Sequence, residues 1–497
     1  MSDFSDLLDL ASERVGGRVL AANDDFFAPK ENLIKAAKPI WIEDKYTDRG
    51  KWMDGWESRR RRTPGHDWCI LQLGIPGVIS QVVVDTSYFR GNFPESCSLE
   101  ACAIEQSNVE LAGGTPWAEV LPRSQLKGDS QNSFIITDPH RFTHLRLNIY
   151  PDGGVARLRI FGEPVPELER ALNSSDLTDL ATVQHGGRVL DCSDRFFSAP
   201  QNLLMPGPSS GMHDGWETKR RRGPGYDWVT LQLGVAGTIQ AVEVDTSYFK
   251  GNFPETCSLE ICSTESSGAD AANCSWSELL PRTPLSADSV HRFEVAAQTP
   301  TTRVRFNIYP DGGVARLRIY GVPDKTALTE ARLRWLNSLP DYAARSILLN
   351  CCGSLQWATS ITQQRPFADT KQLLDQHAAS CESLTPEDWK EAFAAHPKIG
   401  EEKDTISSGQ AQRWSQQEQS GAAAASLQVR SALQRRNQEY HERFGYIFIV
   451  CASGKSAEEM LTMLTERLRN EPGRELQIAA EEQKKITQLR LQKLIGA

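Results

Sequence analysis

The string NIYPDGGVARLRI occupies residues 148–160 and occurs a second time, unchanged, at residues 307–319. Four further strings upstream of it also occur twice in the same order, most of them 160 residues apart. They are DGWE at 54–57 and 214–217, RRRTPGHDW at 60–68 and RRRGPGYDW at 220–228, DTSYF at 85–89 and 245–249, and GNFPESCSLE at 91–100 and GNFPETCSLE at 251–260. Two copies at this spacing indicate a duplicated domain and not a solenoid, whose repeats are about 20–50 residues long.

The first copy is longer than the second. GGRVL at 16–20 matches 186–190 at a separation of 170 residues, so about ten extra residues of the first copy lie within 36–51. Inside both copies apolar and polar residues alternate, as in VTLQL at 229–233 and VRFNIY at 304–309. A period of two predicts strands with one buried and one wet face. About 160 residues of such strands with Gly and Pro turns predict a jelly roll.

The last third of the chain has a different pattern. After residue 324 the glycines thin out, and Met460, Leu461, Leu464 and Leu468 follow a helical spacing behind a capping box at Ser456–Glu459. A second helix is predicted from about Glu475 to Leu494. The fold class is therefore two all-β jelly-roll (galactose-binding-like) repeats followed by an all-α helical domain, with predicted limits at 1–165, 166–325 and 326–497.

Length and composition agree with a multidomain globular protein. The chain has 497 residues, 39% of them hydrophobic, and a net charge of 55 − 64 = −9. Three domains of ordinary size account for this length. The acidic balance argues against a general nucleic-acid partner and against an anionic membrane surface. We expect no transmembrane helix and no signal peptide, and the eleven scattered cysteines favour free thiols in the cytoplasm.

Polar residues that recur in both copies are the candidate site residues of the β repeats. They are Asp54, Glu57, Arg61, Asn92 and Asp152 in the first copy, and Asp214, Glu217, Arg221, Asn252 and Asp311 in the second. Arginine forks bind carboxylates, and a paired acid can transfer a proton, so the set suits a small, anionic, nitrogen-rich substrate. A structural role, in turns or in ion pairs, remains the alternative at each position.

A metal site is not predicted. His66 corresponds to Tyr226 in the second copy and His213 to Met53, so the copies share no histidine at these positions. His140 and His144, if extended, lie roughly 13 Å apart, which is too far to hold one ion. Metal binding by carboxylates alone stays open, and no cofactor is expected.

The doubled strings DGWExxRRRxPGxDW, DTSYFxGNFPExCSLE and NIYPDGGVARLRI resemble the allantoicase family over residues 1–322. That family is built of paired jelly rolls resembling carbohydrate-binding modules. The resemblance implies hydrolysis of allantoate to ureidoglycolate and urea. A non-catalytic ligand-binding module attached to a helical enzyme is the alternative.

The helical part contains three candidates that are unremarkable singly. Thr385–Asp388 caps a helix that should stop at His396, because Pro397 follows, and the helix end would favour the protonated imidazole. Glu418 closes a second capping box, and Arg490 lies late in the last helix. Read alone, each is as well explained as a cap or a solvated charge.

Four strings change that interpretation. AHPKIGE at 395–401, SQQEQSGA at 415–422, FGYIFIVCASGKS at 444–456 and KITQLRLQKL at 485–494 resemble the decarboxylases of 2-oxo-4-hydroxy-4-carboxy-5-ureidoimidazoline (OHCU). The resemblance implies that His396 is the catalytic acid, with Glu418 and Arg490, against the competitors Arg467 and Arg469. It also implies substrate-lining positions at Pro397, Ser415, Gln416, Gln417, Gln419, Ile447, Phe448, Ile449, Val450 and Cys451.

Together the two resemblances imply a bifunctional enzyme of ureide catabolism. The expected partners are small ureide substrates, and a homo-oligomer is predicted. The decarboxylase half would yield (S)-allantoin without a cofactor. A purely scaffolding role of the helical part is the alternative for that half.

Overall fold

The computed structural model describes residues 7–104, 115–166, 177–262, 275–396 and 427–496. The chain forms two compact units, Met1–Leu328 and Thr329–Ala497. The first unit contains two eight-stranded antiparallel sheets of the same topology, one per repeat, and the second is helical. The predicted fold class of two jelly rolls followed by an all-α region is confirmed.

The first repeat contains strands β1 to β12. Their bounds are Leu8–Asp9, Arg18–Ala22, Tyr46–Thr47, Gly50–Lys51, Trp56–Glu57, Asp67–Asp85, Ser96–Cys102, Ala118–Gln125, Gln131–Ile135, Arg141–Tyr150, Gly154–Val155 and Arg157–Pro164. The second repeat contains β13 to β22. Their bounds are Thr178–Asp179, Arg188–Cys192, Trp216–Glu217, Asp227–Asp245, Thr256–Cys262, Ser277–Pro284, Val290–Glu294, Thr301–Tyr309, Gly313–Val314 and Arg316–Pro323.

One long strand organises each repeat. In the first repeat this is β6, whose first half pairs with β2 and β10 and whose second half pairs with β9 and β12. The register changes around Gly77, where an added Cβ would lie 2.3 Å from the carbonyl oxygen of Glu163. β6 therefore joins two groups of strands: β2 and β10 along its first half, and β9 and β12 along its second half. In the second repeat β16 makes the same pairings.

The core follows from the alternation along these strands. Cys69, Leu71 and Leu73 of β6 are buried, whereas Trp68 is partly accessible and Gln72 is exposed. Trp56 and Trp216 are fully buried at equivalent positions of the two repeats. Period-two burial of this kind is what the sequence pattern predicts.

A buried ion pair closes one end of each repeat. Arg157, on β12, donates from Nη2 to Asp54 Oδ2 at 2.8 Å and from Nη1 to the backbone oxygen of Asp54 at 2.9 Å. Arg316 and Asp214 repeat the carboxylate contact at 2.9 Å. Burial alone would raise the pKa of Asp54, but the hydrogen bonds from Arg157 and Ile40 and the nearby positive charges hold it below its ordinary value.

The repeats are joined by an arginine that only the first repeat has. Arg14 reaches across to Asn202, at 3.3 Å, and to the carboxylate of Asp214. Asp214 is thus shared by two arginines, Arg14 and Arg316. The position equivalent to Arg14 in the second repeat is Gln184.

The helical unit contains eight helices among the described residues. Helices α1 to α8 are Lys325–Ser338, Asp341–Cys351, Leu355–Gln363, Thr370–Glu382, Pro386–Ala394, Leu427–Phe444, Ala457–Arg467 and Pro472–Ile495. The capping box at Ser456 and the Thr385 cap are both confirmed. α5 ends two residues before His396, and Pro472 opens α8 at its first turn.

Two further observations bear on the expectations from sequence. No helix in the described part of the chain has the length and apolarity needed to cross a membrane. Nine described cysteines form no disulfide, but Cys262, at the end of β17, is disulfide-bonded, which corrects the expectation of a free thiol at that position.

We expect Arg157→Met to lower the free energy of unfolding of the β unit by about 3–5 kcal/mol, because the methionine leaves the buried Asp54 carboxylate without its main partner. Urea titration followed by tryptophan fluorescence measures this. Arg60→Met is the matched control, since Arg60 is exposed and its replacement should change stability by no more than about 0.5 kcal/mol. Equal stability of both variants would contradict the structural role of the pair.

Candidate active sites

The repeated DGG turn brings distant segments together at one end of each jelly roll. β5 pairs with β11, and the backbone N–H of Gly154 donates to Asn92 O at 2.8 Å. A Cβ at Gly154 would lie 1.9 Å from the ring of the buried Phe89, so only glycine allows this approach. We call this end of a repeat its loop end.

Glu57 and Asn92 meet at the loop end of the first repeat. Asn92 Nδ2 donates to Glu57 Oε1 at 2.6 Å, and Asn252 donates to Glu217 at the same distance in the second repeat. Glu57 is half-buried; burial raises the pKa of its carboxyl, and the Asn92 hydrogen bond offsets part of the rise. A carboxyl group of this kind is suited to holding and giving a proton.

Arg61 and Asp152 lie at the same end but are engaged with the protein. The Arg61 backbone N–H donates to Asp152 Oδ2 at 2.8 Å, and its guanidinium bonds Asp67 at 2.6 Å. Arg221, Asp311 and Asp227 repeat these contacts at 2.8 and 2.5 Å.

The neighbouring arginines of the same run differ from Arg61. Arg60 and Arg62 are exposed and have no ion-pair partner among the described residues, and the same holds for Arg220 and Arg222. These side chains are therefore available to bind an anion. The structure thus brings together Glu57, Arg61, Asn92 and Asp152 of the sequence-derived set, with their second-repeat equivalents. Asp54 and Asp214 instead belong to the buried ion pairs.

The extra residues of the first repeat form an additional wall beside its loop end. Trp41 stacks on Tyr88 with ring centroids 6.0 Å apart, and Arg49 donates to Phe26 O at 2.9 Å while lying over the Phe26 ring. Tyr88 has a φ of 70°, a strained conformation for an aromatic residue. In the second repeat Tyr248 has the same φ but is 46% exposed.

A second polar cluster lies on the face of the sheet around Asn148, a polar residue that recurs as Asn307 in the second copy. Asn148 donates to Ser98 Oγ at 3.2 Å and to Glu100 Oε2 at 2.8 Å, and Arg146 donates to Glu100 at 2.7 Å. Asn307, Ser258 and Glu260 repeat the asparagine contacts. The signal was present in the repeated CSLE and NIY strings, where polar residues occupy alternate strand positions.

In the helical unit, His396 follows α5 and faces inward. Its Nε2 is buried and has no partner in hydrogen-bond geometry among the residues that the structure describes. Burial lowers the pKa of His396 to about 3, the charge of Arg490 acts in the same direction, and Gln483 opposes them. The expectation that the helix end favours a protonated ring is therefore wrong in sign here, because burial and Arg490 outweigh the helix end.

The structure separates Arg490 from its competitor Arg467. Arg467 is buried in an ion pair with Glu475, at 2.6 Å, and donates to the backbone oxygen of Ile449 at 2.8 Å. Arg490, on α8, acts electrostatically on His396 and bonds Asn350 O at 3.4 Å. Arg490 is therefore the arginine associated with the histidine, and Arg467 holds the fold.

The predicted lining segment Ile447–Cys451 is fixed by buried charges. Arg467 bonds Ile449, and the backbone N–H of Cys451 donates to Glu482 Oε2 at 2.8 Å. Lys455 Nζ donates to Cys451 O at 2.6 Å. Because Glu482 lies on α8, the same helix positions this segment and Arg490.

Three residues of this site were missed from the sequence: Gln483, Thr487 and Cys352 are essentially inaccessible and lie with Arg490 and His396. The available signal was a polar stripe at positions 483, 487 and 490 on what is otherwise the buried face of α8.

Several predicted residues are not tested by this geometry. Glu418 and the lining positions Pro397, Ser415, Gln416, Gln417 and Gln419 lie outside the described residues. In the parts of the chain that the structure describes, no group of three or more His, Cys, Asp or Glu side chains could hold a metal ion.

Two jelly rolls with polar loop ends, followed by a helical unit in which a half-buried histidine turns its Nε2 inward, define a protein with two separate enzyme-like sites. The allantoicase-repeat family model matches residues 8–165 and 178–324, and the OHCU decarboxylase family model matches residues 337–492. The chain belongs to the allantoicase family and carries an OHCU decarboxylase domain.

The relatives agree with this assignment. A probable allantoicase of Pseudomonas aeruginosa (strain UCBPP-PA14) is 47% identical over 325 residues, covering 64% of this chain and 97% of the relative. Probable allantoicase 1 of Burkholderia mallei is 45% identical over 324 residues, covering 64% of this chain and 95% of the relative. The crystal structure of the allantoicase of Saccharomyces cerevisiae is 33% identical, with a TM-score of 0.53, covering 64% of this chain and 94% of that one.

The chain is thus a bifunctional enzyme of the allantoin pathway, with allantoicase and OHCU decarboxylase activities that act on small ureides. The two alternatives drawn from the sequence, a non-catalytic β module and a scaffolding helical part, are not supported.

Proposed function

We propose that the loop end of the first repeat is where allantoate is hydrolysed to ureidoglycolate and urea. One observation carries this proposal: Glu57, whose carboxyl pKa burial raises, lies beside an arginine run with two unpaired members, Arg60 and Arg62. A substrate with two ureido groups and a carboxylate on one carbon requires two kinds of group. Guanidinium groups bind the carboxylate, and an acid protonates the leaving ureido nitrogen.

Each residue has a distinct role in the proposed reaction. Arg60 and Arg62 bind the substrate carboxylate, and Glu57, oriented by Asn92, protonates the nitrogen of the leaving urea. Asp152 guides the attacking water. The bond from the central carbon to one ureido nitrogen breaks, and a carbon–oxygen bond to water forms, so that urea and ureidoglycolate are released.

The first repeat is the proposed working copy because it alone has the wall of residues 36–51. Trp41 and Arg49 extend its loop end over Tyr88 and Phe26. The equivalent residues Glu217, Arg221, Asn252 and Asp311 keep the same internal contacts without that wall. We assign the second copy, together with Asp54 and Asp214, to supporting the fold.

We expect Glu57→Gln to reduce the turnover number for urea release from allantoate by about 10²–10⁴-fold, the usual contribution of a general acid. Glutamine keeps the size and the Asn92 contact but cannot give a proton. Glu217→Gln is the matched control and should retain activity within about twofold. The opposite ranking of the two variants would place the working site in the second repeat.

We further propose that His396 serves first as base and then as acid in OHCU decarboxylation. Burial and Arg490 keep the imidazole neutral at physiological pH, so it begins as a proton acceptor. His396 takes the proton of the 4-hydroxyl group. The carbon–carbon bond to the carboxylate breaks, and the electron pair of that bond moves into the imidazoline ring. The ring nitrogen gains a proton from solvent. His396 then returns its proton to carbon 5, on one face, giving (S)-allantoin and CO₂.

Other residues of this proposed site bind substrate. Arg490 attracts the carboxylate, Glu418 accepts from the ureido N–H groups, and the backbone of Ile447–Cys451 forms a wall. The remaining proposed lining residues are Pro397, Ser415, Gln416, Gln417 and Gln419. Support for the wall comes from its fixation by Arg467, Glu482 and Lys455.

His396→Gln should abolish enantioselective allantoin formation, leaving only the slow, racemic background, while urea release from allantoate is unchanged. Chiral chromatography on freshly generated OHCU measures this. His441→Gln, at an exposed position of α6, is the matched control and should behave like the unmodified protein. Unchanged enantioselectivity in His396→Gln would contradict the proposed role.

The two activities do not act in succession. Decarboxylation yields allantoin, whereas allantoicase consumes allantoate, and a ring-opening hydrolysis lies between these compounds. We therefore propose that a separate amidohydrolase supplies the allantoate. The proposed domain limits, 1–165, 166–325 and 326–497, are supported by the limits of the family matches.

A cytoplasmic location is also proposed. Nine cysteines among the described residues form no disulfide, which favours a reducing compartment, and the disulfide at Cys262 is the observation against it. Cell fractionation with an antibody to the chain distinguishes a cytoplasmic location from an oxidising compartment.

We propose that the protein is a homo-oligomer assembled through the second repeat. Five residues of the first repeat border a cavity of about 270 Å³ that the second repeat covers: Asp9, Ser12, Arg14, Arg159 and Phe161. Their equivalents border an open groove of about 490 Å³ whose described lining comes from the second repeat alone: Asp179, Thr182, Gln184, Arg318 and Tyr320. A second copy of the chain is the proposed occupant. Its first repeat has a surface equivalent to the one with which the second repeat covers the 270 Å³ cavity.

Sedimentation velocity at micromolar concentration should give a mass above that of one chain, and Tyr320→Asp should reduce it to that of one chain. Leu355→Asp, at an exposed position of the helical unit, should leave the mass unchanged. A monomeric unmodified protein would contradict this proposal.

A further inference from the structure

One face of α8 is polar although it is buried. Gln483, Thr487 and Arg490 follow one another at helical spacing, and all three are almost fully inaccessible. Buried polar side chains on a helix normally require partners. Within the described residues, Gln483 Oε1 has no partner in hydrogen-bond geometry, and neither has Nε2 of His396.

The orientation of the Gln483 amide is fixed by Thr487. The Thr487 hydroxyl donates its proton to the backbone oxygen of Gln483 at 2.9 Å, so Thr487 Oγ1 can only accept from the glutamine side chain. Gln483 Nε2 is accordingly the group that faces Thr487, at 3.3 Å. The carbonyl Oε1 must then point away from Thr487, and it lies close enough to His396 to favour the protonated ring.

We propose that Gln483 is a positioning residue of the decarboxylase site: its Oε1 accepts a hydrogen bond from the His396 ring when that ring takes up a proton. This inference rests on the proposed role of His396. A neutral ring has one N–H, whereas the imidazolium has two, so an acceptor held ready beside it stabilises the charged state.

The surroundings explain why such an acceptor is needed. Arg490, from the same helix, is the charge that acts on His396, and it disfavours a second positive charge. Cys352 lies beside Thr487 and Arg490, and Glu391 of α5 adds a negative charge to this group. Arg490 attracts the anionic substrate, and Gln483 offsets its effect on the histidine.

The test compares Gln483→Leu and Gln483→Glu in the full-length protein. Leucine removes the acceptor, so kcat should fall about tenfold with KM nearly unchanged, and the pKa of His396 should fall further. Glutamate adds a charge, so the pKa should rise. Since His396 must begin neutral, the acid limb of the kcat profile should then move to higher pH. Gln488→Leu, on the exposed side of α8, should leave both the activity and the pKa unchanged.

Histidine NMR, assigned with His396→Gln, reads the pKa independently of activity. A His396 pKa that falls in Gln483→Leu and rises in Gln483→Glu supports the inference. An unchanged His396 pKa in both variants overturns it. If Gln483→Leu does not fold, the near-isosteric Gln483→Met takes its place, and a lowered pKa of His396 is required. Full activity of His396→Gln would instead overturn the proposed function, while the NMR titration still tests the Gln483 contact.

Discussion

The buried pair of Asp54 and Arg157, with its copy Asp214 and Arg316, is the interaction on which the β unit depends. The pair joins the segment before β5 to the first residue of β12. It thereby fixes β5 and β11, the two strands that pair beside the DGG turn. Glu57 and Asn92 are placed by that pairing. Asp54, a candidate site residue in the sequence, thus serves to hold the proposed site residues in place, and the cost of burying its carboxylate is offset by hydrogen bonds from the arginine and the backbone.

The sequence predicts the architecture well because the repeats are long and their alternation has a single structural solution. The sequence also indicates that Glu57, Arg61, Asn92 and Asp152 belong together, because all four recur in both copies. The structure places them at the same loop end. The sequence could not separate these from Asp54, because an aspartate in an ion pair and an aspartate in a site have the same letter. The polar stripe of α8 was missed for the opposite reason, since helical polar residues are usually solvated.

The helical site shows why electrostatics cannot be read from local sequence. The C-terminal end of α5 favours a charged ring at His396, which is a correct local rule. Arg490 lies 94 positions further along the chain, and only the fold brings it to the histidine. The combination of burial and a distant arginine reverses the sign and holds the pKa of the imidazole below its ordinary value.

The two repeats differ in sequence and in structure. The first repeat has about ten extra residues within 36–51 and Arg14, while the second has neither and provides Asp214 to bind that arginine. The long strand β6, and β16 after it, adds a consequence of another kind. Because a single stretch of backbone pairs with strands in both groups, neither group can loosen while the other stays intact. Each repeat should therefore melt as one cooperative block, and evolutionary drift in either half of that strand is constrained by the partners of both.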